Sequence, residues 1–259
     1  IGAIIVEFKI KEQCIRIAPR DREALERDVA AHLHDGRGFA LATLNLDHLV
    51  KLPRDPAFLA AYARHDMIVA DGNPIVWMSH LAGHPVELLP GSDMILPLCF
   101  LAAECGIPVG LVGTTDESLK KAATALEQQV PDLSVIARIA PPFGFDPQGA
   151  QADDILRKLE SDGVGLCFIA LGAPKQEIFA AAGRRKLPHM GFASIGAGVD
   201  FLAGTQTRAP EWARRFAVEW LWRALSSPKR LLPRYVKCLA ILPGQVFAAM
   251  LQRFRTPQH

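Results

Sequence analysis

Short apolar runs alternate with longer amphipathic stretches over most of this chain. Two of the runs, 39–44 and 67–70, are almost wholly apolar, as strands buried on both faces of a parallel sheet are. The stretch 21–34 instead repeats its apolar residues at helical spacing, and several later stretches do the same. Strands that alternate with helices in this way predict an α/β fold with a doubly wound, mostly parallel sheet.

The same patterns assign a strand or a helix to most of the chain as far as residue 204. Residues 1–17 alternate weakly, which predicts a strand or a hairpin. The later predicted strands are 39–44, 67–70, 108–112, 133–139, 165–171 and 190–195, and the predicted helices are 21–34, 56–64, 74–81, 91–105, 116–129, 148–161 and 174–186. Only helix is predicted beyond a weak boundary near 204–208. We therefore divide the chain into an α/β core over 1–204 and a helical C-terminal appendage over 205–259.

Charge distinguishes the appendage from the core. The net charge of the whole chain is only +2, so we predict no nucleic-acid partner. From residue 208 onward, however, the acids are only Glu211 and Glu219, and basic residues greatly outnumber them. This asymmetry indicates an anionic partner. Aromatic residues lie among the basic ones, which is typical of a helix on a membrane surface, although a solvated basic face on a packed helix gives the same pattern. No run is long and apolar enough to predict a membrane-spanning helix.

The cysteine pattern and the absence of several short motifs exclude some metal sites and some classes of enzyme. The chain has five cysteines and no CxxC pair, which predicts reduced thiols in a cytoplasmic protein and no zinc site. It also contains no Asp-x-Asp pair, no HExxH and no Gly-x-Ser-x-Gly elbow. We therefore expect no metal and no cofactor, and we consider a hydrolase a poor fit.

Polar residues follow the two most apolar predicted strands. Thr43 and Asn45 lie at the end of the first strand, and Asp71 directly follows the second. In open α/β sheets, ligands bind outside the carboxyl ends of the strands, so these three side chains are expected to converge on one crevice. A carboxylate there is a candidate general base. The alternative is that Asp71 only caps the helix that Pro74 opens.

Glycine-containing turns follow three further predicted strands. Gly113, Gly172 and Gly196 each lie between a strand and a helix start, where free N–H groups favour phosphates. Ordinary strand-to-helix turns use glycine for backbone reasons, so the pattern does not decide between these roles. In the stretch GAPKQE, Lys175 and Gln176 are expected to project from the rim of the sheet, and Gln176 could bind sugar hydroxyls. Glu177, next in the sequence, could be a simple partner of the helix dipole.

The ordered set of short motifs resembles a known family. TLN and VADGNPIVW are followed by GSD, LVGTTDE, PPFGF, LGAPKQE, GAGVDFLAG and RAPEW–EWLWR–PKR–RY, over roughly 38–235. Each motif is weak alone, but their order is specific. Together they resemble the WecG/TagA/CpsF glycosyltransferases.

The resemblance implies a fold, a reaction and a location. The core would be Rossmann-like, and the appendage would reach the membrane and help to complete the active site. The reaction would be that of a metal-independent, inverting hexosyltransferase, which moves a sugar from a UDP-sugar to a polyprenyl-diphosphate-linked (undecaprenyl-type) sugar. The protein would be peripheral on the inner face of the cell membrane and serve exopolysaccharide, capsule or related polysaccharide biosynthesis. The implied donor is UDP-glucose, or a UDP-linked N-acetylmannosamine or uronic acid.

The resemblance also implies residue roles. Asp71 would be the general base, with Thr43 and Asn45 beside it, and Gln176 would bind substrate. The appendage arginines implied to bind donor or acceptor are Arg208, Arg215, Arg223, Arg230 and Arg234.

One position departs from the family pattern. Many members have an arginine in ERxxGxD, whereas this chain reads ELLPGSD, with Leu88 at that place. If the arginine holds donor phosphates, Lys175 or an appendage arginine would have to replace it. Leu88 is equally consistent with a different donor or a separate subfamily.

Two other functions stay open at this stage. A nicotinamide-dependent oxidoreductase would share the sheet, but no GxGxxG with an acidic residue about twenty positions further on is clear. A non-catalytic, membrane-bound assembly module is favoured by Leu88 and opposed by the intact Asp71, Asn45 and Gln176. Exposed helices would allow a homo-oligomer, which the sequence does not decide.

Overall fold

The computed structural model describes residues 6–206, 210, 222 and 228–255. The strands are β1 (Glu7–Ile10), β2 (Gln13–Arg16), β3 (Phe39–Leu44), β4 (Met67–Ala70), β5 (Val109–Gly113), β6 (Val135–Ile139), β7 (Leu166–Ala170) and β8 (Gly191–Ser194). β1 and β2 form a small antiparallel hairpin. The other six form one parallel sheet in the order β4-β3-β8-β7-β5-β6. The predicted α/β fold with a doubly wound parallel sheet is therefore confirmed.

Helices surround the sheet. They are α1 (Arg22–His34), α2 (Leu46–Lys51), α3 (Pro56–Tyr62), α4 (Asn73–Leu81), α5 (Gly91–Glu104), α6 (Asp116–Gln129), α7 (Ala150–Ser161), α8 (Lys175–Lys186), α9 (Gly198–Leu202) and α10 (Pro228–Arg255), with a 3₁₀ turn at Leu52–Arg54. The predicted strands and helices of the core are all present, with ends that differ by a few residues. α2 and α9 escaped prediction because five or six residues are too few to show helical periodicity.

Apolar side chains fill both faces of the sheet. α1, α5, α6 and α9 pack on one face, and α2, α3, α7 and α8 cover the other. All six residues of β3 are buried, because this strand has neighbours on both sides and helices above and below. Double-sided burial explains why its sequence is a continuous apolar run instead of an alternating one.

The parallel register places four strand ends side by side. β4, β3, β8 and β7 are consecutive in the sheet, so the turns that follow them lie along one stretch of the same edge. The ladder pairs Leu44 with Ala70, and the backbone N–H of Asp71 then donates to the carbonyl of Leu44 at 2.8 Å. The first residues beyond β3 and β4 are thus held next to one another.

α10 is most of the described part of the appendage, and it packs against α2 and α4. Its far end is fastened to the hairpin, where the side-chain amide of Gln252 exchanges two hydrogen bonds with the backbone of Glu7. The stretch Leu231–Phe254 is long and apolar enough to cross a membrane by length and composition, with a mean hydropathy of 1.3. Our expectation that no such stretch exists was therefore wrong, because charged residues at both ends hide it in the sequence.

Gly113 illustrates a glycine that the packing requires. Its φ is +133°, and a Cβ there would lie 2.3 Å from the carbonyl oxygen of Ala170 on the neighbouring strand. Gly163 also has a positive φ, of +81°, but its added Cβ would meet nothing within 4 Å. Substituting alanine at each of the two glycines therefore separates the cost of the backbone conformation from the cost of the close contact.

We predict that Gly113→Ala lowers the free energy of unfolding by more than Gly163→Ala does. A left-handed conformation costs alanine about 1–2 kcal/mol at either site, and overpacking at position 113 adds about 1–3 kcal/mol. Urea unfolding of both variants would measure the difference. Equal losses would show that the backbone around Gly113 relaxes, and would leave phosphate binding as the stronger reason for this glycine.

Candidate active site

Asn45 and Asp71 meet at the carboxyl ends of β3 and β4. The Nδ2 of Asn45 donates to the Oδ2 of Asp71 at 3.1 Å. Asn45 is also the N-cap of α2, and its Oδ1 accepts from the backbone N–H of His48 at 3.1 Å. The cap uses the carbonyl end of the amide, so the NH₂ end points to the carboxylate. The structure therefore brings these two residues together as the strand pattern predicts.

Asp71 does not cap the helix that follows it. The N-cap residue of α4 is Gly72, whose φ is +110°, and Asp71 precedes it in the turn. Asp71 is half-buried. The capping alternative raised by the sequence is thus wrong, and the side chain instead accepts a hydrogen bond across the two strand ends.

A buried polar layer supports this pair from beneath. Thr43 is 4% exposed, and its carbonyl oxygen accepts hydrogen bonds from the hydroxyl of Tyr62 and from Nδ1 of His48, the latter at 2.9 Å. Burial lowers the pKa of His48 to about 4. This imidazole is therefore neutral near pH 7, with its Nδ1 proton assigned by the carbonyl that it faces. The layer fixes the backbone that carries Thr43 and Asn45.

Gln176 lies at the start of α8 and is buried, with 3% of its surface exposed. Its Oε1 accepts from the backbone N–H of Gly196 at 3.2 Å, and its Nε2 donates to the Oε1 of Glu177 at 2.8 Å. The expectation that Gln176 projects freely from the rim was therefore wrong. The amide instead joins the turn after β7 to the turn after β8.

Glu177 is a residue that sequence reasoning assigned to the wrong environment. It is 0% exposed, and burial raises the pKa of its carboxyl group to about 7, partly offset by the hydrogen bond from Gln176. A simple partner of the helix dipole would instead be solvated. The available signal was its spacing, because Glu177 lies on the same helix stripe as the apolar Ala180 and Ala181.

Asp47 connects the appendage to the site. Its buried carboxylate is paired with Nζ of Lys51 at 2.7 Å and with Nε of Arg234 at 2.9 Å. Lys51 also donates to the carbonyl of Ala173, in the turn before α8, at 3.4 Å. Asp47 and Lys51 escaped prediction because their contacts to Arg234 and to Ala173 join parts of the chain that are far apart in the sequence. Arg234, expected to bind donor or acceptor, has its Nε directed at this carboxylate.

The other predicted residues occupy varied positions. Lys175 is half-buried at the first residue of α8, and Gly172 is exposed with a φ of +71°. The other predicted arginines lie outside the described part of the chain, namely Arg208, Arg215, Arg223 and the side chain of Arg230.

Leu88, which stands where many members of the family have an arginine, lies beside the site. It forms an isolated parallel bridge with Ala70, the residue before Asp71, and the next backbone N–H, of Leu89, donates to the carbonyl of Ala70 at 2.8 Å. A cation at position 88 would therefore lie close to the carboxyl end of β4. This chain places a half-buried apolar side chain there instead.

The arrangement is suited to removing a proton from a hydroxyl group. A half-buried carboxylate, oriented by an amide, lies on an edge where the turns of neighbouring strands also offer a buried glutamine and the N-terminus of α8. Among residues 6–206 and 228–255, no three His, Cys, Asp or Glu side chains are grouped so that they could hold a metal ion. The predicted independence of metal stays a prediction.

Comparisons with known proteins assign the chain to a family. The family model described as "Glycosyl transferase WecG/TagA/CpsF family" matches residues 13–258. A relative from Bacillus spizizenii, N-acetylglucosaminyldiphosphoundecaprenol N-acetyl-beta-D-mannosaminyltransferase, is 25% identical over 211 residues, which cover 79% of this chain and 80% of the relative. The family match spans nearly the whole chain, including the strand ends that carry Asn45, Asp71 and Gln176. This chain therefore belongs to the WecG/TagA/CpsF family of glycosyl transferases.

Proposed function

We propose that this glycosyltransferase moves a hexose from a UDP-sugar to a sugar linked to a polyprenyl diphosphate, with Asp71 as general base. The observation that carries the proposal is the contact between Asn45 and Asp71 at the carboxyl ends of two adjacent strands. The printed name of the Bacillus relative supports the acceptor class, since that protein acts on N-acetylglucosaminyldiphosphoundecaprenol. The product would enter a bacterial cell-surface polysaccharide, such as an exopolysaccharide or a capsule.

The reaction is a single in-line displacement. The acceptor hydroxyl gives its proton to the carboxylate of Asp71 while its oxygen forms a bond to the anomeric carbon of the donor. The bond from that carbon to the diphosphate oxygen breaks, and UDP leaves with the electron pair. One displacement inverts the configuration at the anomeric carbon. Asn45 holds the carboxylate in place, so the base is oriented before the substrate arrives.

Charge on the departing diphosphate needs stabilisation. We assign this task to the N-terminus of α8, to Lys175 at its first residue, and to arginines of the appendage. Leu88 replaces a cation that is common in the family, which increases the demand on these groups. No metal takes part in this proposal.

We propose that α10 lies on the anionic inner surface of the membrane. Its exposed apolar residues recur at helical spacing and form one stripe, which consists of Leu232, Val236, Leu239, Phe247, Met250, Leu251 and Phe254. Lys229, Lys237 and Arg253 are exposed on the same helix. An apolar stripe with basic residues alongside is typical of a helix in the membrane interface, and each basic residue near an anionic leaflet adds about 1 kcal/mol.

We predict that Asp71→Asn lowers the rate of sugar transfer about 10²–10⁴-fold, because an amide cannot accept the hydroxyl proton. UDP binding, measured by calorimetry, is expected to persist, since Asn45 can still hydrogen-bond the amide oxygen. Transfer at the normal rate by this variant would exclude Asp71 as the base.

We predict that transfer persists in EDTA, because the proposed electrostatic stabilisation comes from the protein. The assay offers UDP-glucose, UDP-N-acetylmannosamine and a UDP-uronic acid to a polyprenyl-diphospho-N-acetylglucosamine acceptor, and radiolabel in the lipid fraction measures transfer. Activity that vanishes with EDTA and returns with Mg²⁺ would refute metal independence. UDP binding without transfer from any donor would favour the non-catalytic module.

We predict that Phe247→Ser weakens binding to vesicles with anionic lipid about tenfold or more, since burying a phenylalanine contributes about 1.5–3 kcal/mol. Phe100→Ser is the matched control, because Phe100 on α5 is also exposed, at 44%, but lies outside the stripe. Vesicle sedimentation measures both. Equal binding by the two variants would contradict docking through α10.

A further inference from the structure

Glu177 is buried without full hydrogen bonding. Its surface is 0% exposed, and its Oε2 has no hydrogen-bond partner among the described residues. An incompletely satisfied carboxyl group in the interior costs free energy, which an apolar residue at the same place would avoid. The glutamate is therefore poorly explained as a contribution to stability.

The one side chain that hydrogen-bonds Glu177 is Gln176, within the part of the chain that the structure describes. Oε1 of Glu177 accepts from Nε2 of Gln176, whose Oε1 accepts from the N–H of Gly196. Because a backbone N–H can only donate, it identifies the oxygen end of the amide, and Glu177 receives the NH₂ end. Together the two contacts fix the direction of the Gln176 side chain.

The fixed amide keeps capacity for a ligand. An amide NH₂ has two donor hydrogens and an amide oxygen has two lone pairs, and the contacts to Glu177 and Gly196 use one of each. One donor and one acceptor remain, which is the combination that a sugar hydroxyl requires. If Glu177 were absent, the amide could rotate and present these groups in other directions.

Charged and titratable groups surround Glu177 from several elements. The charge of Lys51 on α2 opposes the rise that burial causes in the pKa of this carboxyl group. Burial raises the pKa of Tyr62 on α3, and the charges of Glu177 and Asp71 raise it further. On the same helix as Glu177, Lys175 lies two residues before it. Glu177 and the candidate base Asp71 thus both influence the same buried tyrosine.

We propose that Glu177 is a positioning residue of the transfer reaction, which holds the amide of Gln176 in the orientation that binds a substrate hydroxyl. The proposal rests on the function proposed above and adds a residue to the same site. Glu177 acts through Gln176 and needs no contact with the substrate.

The protonation state of Glu177 matters for an anionic substrate. Burial raises the pKa of Glu177 to about 7, while the hydrogen bond from Gln176, its own backbone N–H and Lys51 act in the opposite direction. Below this value the group is neutral. Above it, a negative charge appears in the first turn of α8, at the helix end assigned above to the departing diphosphate, and opposes the binding of a diphosphate. We therefore expect the KM for the donor to rise as pH increases through about 7.

The experiment compares Glu177→Gln, Glu177→Ala, Gln176→Ala and the double variant Gln176→Ala/Glu177→Ala in the full chain. Glu117→Gln is the matched control, because Glu117 also lies in the first turn of a helix, α6, but is exposed. Radiolabel transfer gives kcat and KM between about pH 6 and 8, and circular dichroism checks folding.

Glu177→Ala is expected to lower kcat/KM about 10²-fold, the effect of a misplaced binding group. In a protein that already carries Gln176→Ala, adding Glu177→Ala is expected to lower kcat/KM little further, because both side chains act through the amide of Gln176. Glu177→Gln cannot ionise, so its KM should no longer rise with pH, whereas Glu117→Gln should keep the parent profile.

Two results would overturn the inference: additive losses in the double variant, or a pH profile of Glu177→Gln that matches the parent. If Glu177→Ala fails to fold, Glu177→Gln decides, because its amide oxygen can still accept from Nε2 of Gln176. A kcat/KM near that of the parent would support the positioning role, and a loss as large as that of Gln176→Ala would overturn it. The failure of the proposed function looks different, because the parent protein itself would then transfer no sugar from any donor.

Discussion

The parallel pairing of β3 with β4 is the constraint on which the site depends. The ladder ends with Leu44 opposite Ala70 and is extended by the hydrogen bond from Asp71 to Leu44. Both strands are buried on both faces, so a shift of one residue would exchange their two faces and misfit the side chains packed against each. The apolar packing therefore fixes the register. With the register fixed, Asn45 and Asp71 have little freedom except to meet. The contact between Asn45 and Asp71 is therefore a consequence of the core.

The low polarity of the layer beneath the site strengthens the hydrogen bonds of its buried polar groups and shifts their pKa values. His48 and Tyr62 are both fully buried and both contact the carbonyl of Thr43, so they can make these hydrogen bonds without competition from water. The same exclusion of water raises the pKa of Glu177 and makes its ionisation sensitive to nearby charge. Buried polar atoms in such a layer stabilise the fold only when they are fully hydrogen-bonded. The Oε2 of Glu177, unpartnered within the described part of the chain, therefore indicates a role other than stability.

The sequence predicted the convergence of Asn45 and Asp71 because two apolar runs define where the strands end, and parallel strands share an edge. It failed where the outcome depended on distant contacts. Gln176 was expected at the surface, yet it is enclosed because Gly196, twenty residues further along the chain, needs an acceptor. Likewise, the electrostatic environment of Glu177 includes Lys51 of α2 and Tyr62 of α3, more than a hundred residues earlier, and no local pattern carries that information. The catalytic roles themselves remain predictions.

α2 links the appendage to the chemistry. This helix has only six residues, and it contains Asp47, two positions beyond the cap residue Asn45. Arg234 of α10 reaches the carboxylate of Asp47, while Asn45 holds Asp71. A buried carboxylate needs its cations, so the docking of α10 and the placement of α2 stabilise each other. The same short helix thus carries both the contact to α10 and, through its cap residue, the contact to Asp71. The appendage and the candidate site therefore meet within one turn of helix.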